Sequence, residues 1–96
     1  MKKKVLILAG YYVPSVKGGG PIQSIRNIVD NFGDSVEFYI MASDRDLGDV
    51  EPFSNLIVDK WIEVDKALVY YTDMRSFNWI KLKTLIKDIG CDILYL

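Results

Sequence analysis

The sequence predicts an α/β domain built on a mostly parallel β-sheet, and three observations carry that expectation. Residues 4–9 hold the unbroken apolar run Val5-Leu6-Ile7-Leu8-Ala9, the pattern of a strand buried on both faces. Two later segments repeat apolar residues at helical spacing, and each is followed by a glycine, as helices commonly are. The elements alternate in the order β-α-β-β-β-α-β, which suits an open sheet with helices packed on it.

Taken in order, residues 4–9 form the first strand, expected at the centre of the sheet. Residues 10–20 form a loop with Pro14 and the run Gly18-Gly19-Gly20. It is long for a strand-to-helix connection, and loops of that kind tend to carry function. Pro21 opens the first helix, because its missing N–H would be unpaired at that position in any case. Ile22, Ile25, Val29 and Phe32 recur at i, i+3, i+7 and i+10, and Ile28 widens the stripe. Gly33 stands where a left-handed cap belongs.

Residues 36–41 read as the second strand. Residues 43–54 form a polar loop with Asp44, Asp46, Asp49 and Glu51. Residues 57–62 read as a short strand or an irregular crossing segment, and residues 68–71 as a strand dense in β-formers. Ser76 is the expected N-cap of a second helix over residues 77–89. In it Leu82, Leu85, Ile86 and Ile89 line one face, while Lys81, Lys83 and Lys87 supply a polar one. Gly90 is the second cap, and Cys91-Asp92-Ile93-Leu94-Tyr95-Leu96 begins a further strand. The helices are expected to pack through Ile25, Val29, Leu82 and Ile86. An apolar strand with no helix after it reads as part of a longer protein, and its open edge at residues 93–96 as a cause of self-association.

Ninety-six residues allow one domain. Twelve basic against thirteen acidic residues give a net charge of -1, so no overall field draws nucleic acid or an anionic membrane. Cys91 is the only cysteine, which excludes an internal disulfide and suits a reducing compartment. There is no histidine, so the commonest general base and metal ligand is missing. Met1-Lys2-Lys3-Lys4 before an apolar run suggests a signal peptide. The run is short, however, and Gly10-Tyr11-Tyr12-Val13-Pro14 offers no small-x-small cleavage site. No stretch approaches the length of a membrane span.

The glycine run between a buried strand and a helix start is the strongest chemical signal. Glycine lets a ligand approach the backbone without meeting a Cβ, and the first helical turn presents unpaired N–H groups to an anion. A glycine-rich turn without a ligand fits equally well. A P-loop is excluded because Gly20 precedes Pro21 and Ile22 rather than Lys and Ser or Thr. A dinucleotide fingerprint is excluded because a long loop separates Gly10 from Gly18. Tyr11 and Tyr12 follow the first strand, and Ser43-Asp44-Arg45-Asp46 follows the second, both at the carboxyl edge where ligands of open sheets bind. Each reads either as a ligand contact or as ordinary packing and solvated charge.

Together these segments resemble a known family. Residues 5–14, then Lys17-Gly18-Gly19-Gly20-Pro21-Ile22-Gln23-Ser24-Ile25, resemble the opening of family-4 type retaining glycosyltransferases. The loop Ser43-Asp44-Arg45-Asp46-Leu47-Gly48-Asp49 with Glu51-Pro52-Phe53 looks like the one after the second strand in a bacterial subgroup. Cys91-Asp92-Ile93-Leu94-Tyr95-Leu96 looks like a later strand of the same lobe, with Cys91 in place of a frequent proline. The resemblance implies part of the N-terminal, Rossmann-like lobe of a GT-B fold, which transfers sugar from a nucleotide diphosphate sugar to a sugar or lipid-linked acceptor. It implies that Gly18, Gly19 and Gly20 approach the donor diphosphate, and that Tyr11, Tyr12, Asp44 and Arg45 are candidate acceptor contacts. It implies no cofactor and no metal, a cytoplasmic setting with the parent enzyme peripheral at the inner membrane face, and a role in polysaccharide or glycoconjugate synthesis. The donor lobe and the family's active-site histidine have no counterpart here, so no residue of this chain is expected to be catalytic and the chain by itself is expected to be inactive. The rival readings are a small α/β module for a phosphorylated metabolite and an assembly subunit without a ligand.

Overall fold

A computed structural model describes residues 3–15, 20–46, 48–54, 56–73 and 78–95. Its elements are β1 (Lys3–Gly10), α1 (Gly20–Phe32), β2 (Val36–Ser43), β3 (Trp61–Val64), β4 (Ala67–Thr72), α2 (Trp79–Ile89) and β5 (Ile93–Tyr95). They form one five-stranded sheet in the order β3-β4-β2-β1-β5. The β4-β2-β1-β5 neighbours are parallel, and β3 joins β4 antiparallel. The sheet is thus mixed but mostly parallel, and β1 lies inside it between β2 and β5.

Alternation along the strands divides the core in two. Ile7, Phe38, Ile40, Val69 and Tyr71 pack with Ile22, Ile25 and Val29 of α1. Leu6, Met41 and Tyr70 pack with Leu82, Leu85 and Ile89 of α2, and Ile86 joins from the margin. The helices therefore cover opposite faces. The chain moves outward from β1 through β2 to β4, then α2 returns it to β5 on the far side of β1. That reversal places a topological switch point between β1 and β5, the arrangement of a Rossmann-like sheet.

Several local expectations are corrected. Ser76 lies outside the described residues, and the N-cap of α2 is Asn78, whose side chain accepts from the Lys81 N–H at 2.9 Å. Ile28 and Phe32 are exposed, so the inward stripe of α1 is narrower than its apolar residues suggest. Gly33 is not left-handed. It is glycine for lack of room: a Cβ there would stand 2.5 Å from the Val29 carbonyl oxygen and 2.6 Å from the Lys66 Cβ. Gly90 does cap α2 in the left-handed region, at φ 61°, donating to the Ile86 carbonyl. The third strand is residues 61–64 rather than 57–62, because a tight turn at Asp65 and Lys66 pairs Val64 with Ala67. Asp65 takes φ 53° there, a conformation Asp tolerates better than most residues.

Candidate functional site

The carboxyl edge gathers the polar interior of the molecule. Among the described residues, the buried polar side chains are Ser15, Ser43, Asp44, Asp46 and Thr72. All stand at or just beyond the ends of β1, β2 and β4. A parallel ladder runs to Ser43 and Thr72, and the Asp44 N–H continues it by donating to the Thr72 carbonyl at 2.9 Å.

The loop after β1 is anchored first. Tyr11 is half-buried against the α1-side core, and Tyr12 is completely enclosed in it. Tyr12 therefore serves the core in this structure rather than presenting a surface to a ligand. Among the described residues its hydroxyl is buried without a hydrogen-bond partner. Burial raises its pKa, with Asp65 adding to the effect. The Tyr71 hydroxyl donates to the Val13 carbonyl. Burial pushes its pKa up to about 12, assisted by Tyr12. The Ser15 hydroxyl donates to the Asp46 carboxylate, which ties the first loop to the second.

The second loop is organised around Arg45. Its Nε donates to Asp44 Oδ1 at 2.9 Å, and its far nitrogens reach Asp73 at 3.6 Å and the Val50 carbonyl. The hydrogen bond it donates to Asp44 raises the guanidinium pKa, so its charge is fixed at any working pH. The Asp44 carbonyl accepts from the Phe53 N–H at 2.8 Å. Asp44 and Arg45, read from sequence as acceptor contacts, thus also tie the loop over the strand ends.

A further constellation escaped the sequence reading. Asp59, at φ 58°, accepts from Thr72 Oγ1 at 2.7 Å and from Lys81 Nζ at 3.2 Å, and its N–H donates to the Tyr71 carbonyl. Lys81 also donates to Thr72 at 2.9 Å and lies 5.7 Å from the Tyr70 ring centroid. The Thr72 hydrogen bond, then Lys81, holds the Asp59 carboxyl below the usual range. Its only sequence signal is an aspartate before a strand, and Lys81 reads as one of several helix-surface lysines.

Gly18 and Gly19 lie outside the described residues. Gly20 opens α1 on the surface, with open space where a Cβ would stand. The first turn of α1 holds no acidic residue, so nothing in that turn neutralises the positive end of its macrodipole. Among the described residues, no three acidic or cysteine side chains group as a metal site, and no helix is long and apolar enough to cross a membrane. The polar edge is therefore a paired scaffold beside a helix N-terminus. No family model, curated protein or solved structure matches the chain.

Proposed function

We propose that this chain forms part of the acceptor-side lobe of a retaining, nucleotide-sugar-dependent glycosyltransferase of the family-4 type. The observation that carries the reading is where the glycine-bearing connection begins and ends: at the carboxyl end of β1, the strand beside the switch point, and at the first turn of α1, which lies at the surface. Open α/β sheets bind ligands at that place. Backbone N–H groups and a helix dipole suit a leaving diphosphate, on which charge develops as the glycosidic bond breaks. In this reading Gly18, Gly19 and Gly20 stabilise the leaving group, while a second lobe binds the donor nucleotide and supplies the remaining chemistry. Neither a cofactor nor a metal is required, and the enzyme works at the cytoplasmic side.

The test uses isotope-labelled chain titrated with inorganic pyrophosphate and with nucleoside diphosphates, followed by amide NMR. Millimolar binding should shift the amides around Gly20 and Ile22, and Gly20→Val should abolish it. The Gly20 backbone is ordinary and its Cβ position open, so the variant should fold. No shifts at this turn, or shifts indifferent to the substitution, overturn the reading. Micromolar binding of a simple phosphorylated metabolite would favour the stand-alone module instead. Turnover of a nucleotide sugar by the chain itself, lost on Gly19→Val, would overturn the division of labour between lobes.

A further inference from the structure

Among the described residues, the sheet face beneath α2 is only half covered. α2 rests on Leu6, Met41 and Tyr70, so its weight falls on β1, β2 and the carboxyl end of β4. Beside it, Tyr39, Leu68 and Trp61 remain partly exposed. They share this face by register: Tyr39 lies opposite Leu68, Leu68 opposite Glu63, and Trp61 opposite Tyr70. Glu37, two residues before Tyr39, points the same way, and both Glu37 and Glu63 are exposed. A cleft of about 390 Å³ opens along the amino half of this strip, with Tyr39 and Leu68 in its lining and the acidic Glu37, Glu63 and Asp65 outweighing Lys66.

The outward ridge of α2 is the complement of that strip. Ile80, Lys83, Thr84 and Lys87 follow i, i+3, i+4, i+7 spacing and are all exposed, Ile80 to 77%. The ridge is apolar at the carboxyl edge of the sheet and basic toward the amino edge, because α2 runs against the strands. The strip follows the same order, with Trp61 near the carboxyl edge, then Glu63, then Glu37. Ile80 to Lys87 spans about 10 Å of helix, and the strand rise from the level of Trp61 to Glu37 is about 13 Å.

We infer that this face is the interface of a two-fold homodimer, in which the α2 ridge of each copy lies in the acidic cleft of the other. A two-fold axis parallel to the strands keeps strand direction while exchanging left and right. It therefore sets each ridge over the partner's uncovered strip with both orders aligned. Ile80 meets the partner's Trp61 and Leu68, and Lys83 and Lys87 meet the partner's Glu63 and Glu37. The contact is isologous, so each complementary pairing occurs twice. A net charge of -1 per chain adds little repulsion. This inference does not depend on the chemistry proposed for the glycine loop.

Sedimentation velocity over a concentration series tests it, with thermal unfolding as a check that each variant folds. The wild type should dimerise, and more weakly as salt rises. Glu37→Lys with Glu63→Lys should weaken dimerisation at least about tenfold, as should Lys83→Glu with Lys87→Glu. An equimolar mixture of the two variants should restore a dimer, because each mixed contact regains opposite charges. A wild type monomeric at low salt and high concentration overturns the inference. So does a dimer indifferent to both reversals, or a mixture of the two folded variants that fails to associate.

Discussion

Tyr12 and Tyr71 show how one residue type does two jobs in the same core. Both rings are buried on the α1 side of the sheet. The Tyr71 hydroxyl donates to the Val13 carbonyl and fastens the first loop to β4, whereas the Tyr12 hydroxyl has no partner among the described residues. An unsatisfied buried hydroxyl costs about 1–3 kcal/mol of desolvation, and a typical satisfied one contributes about 0.5–1.5 kcal/mol net. Tyr12→Phe should therefore leave stability unchanged or raise it by about 1 kcal/mol, with the fold intact. Tyr71→Phe should lower it by about 1 kcal/mol. Urea unfolding of the two variants decides the matter. A Tyr12→Phe loss as large as that of Tyr71→Phe would mean that the Tyr12 hydroxyl is satisfied after all.

At the scale of the elements, the glycines that shape helix ends work by different means. Gly33 ends α1 in an ordinary conformation, but an added Cβ would collide with the Val29 carbonyl and with Lys66 of the β3–β4 turn. Backbone must shift to relieve that contact, so Gly33→Ala should cost about 1–3 kcal/mol. Gly20→Ala, with open space around it, should stay within about 0.5 kcal/mol of the wild type. Equal melting temperatures for the two would show that the α1 end yields easily. From sequence Gly33 and Gly90 look alike, since each follows an apolar helical stripe; what separates them is the left-handed φ of Gly90 and the crowding of Gly33 against Val29 and Lys66. The order of the seven elements was legible, because long apolar runs and helical stripes need no tertiary information. The position of β3 was not, because it depends on pairing with β4 through a turn of Asp65 and Lys66, a pair without a strong turn signature. The same limit applies at the carboxyl edge. Its place in the fold follows from the element order, but the pairing of Arg45 with Asp73, and of Asp59 with Thr72 and Lys81, joins residues far apart in sequence.

For the whole molecule, these pairings give the pH profile of stability two flanks with opposite signs. The Asp59 carboxyl is held below its unfolded value by Thr72 and then Lys81. Its contribution is present above the ordinary carboxylate pKa and is lost as the pH falls through the lower folded value. The side chain is 56% exposed, so solvent screening keeps this acid flank shallow. Tyr71 works in the other direction. Its pKa is raised from 10.0 to about 12 by burial and then by Tyr12. The folded state therefore keeps its proton where the unfolded chain has released it. Its contribution is complete below pH 10 and is lost between pH 10 and about 12. A shift of that size corresponds to a loss on the order of 3 kcal/mol. Tyr12, whose pKa is also raised by burial, steepens the same flank. Thermal midpoints from pH 2 to pH 12 should fall on both sides of a neutral plateau. Asp59→Asn should lower the plateau slightly and flatten the acid side, and Tyr71→Phe should lower the plateau and flatten the alkaline side. An alkaline flank that keeps its slope in Tyr71→Phe, and again when Tyr12→Phe is added, would place the titrating groups outside this core.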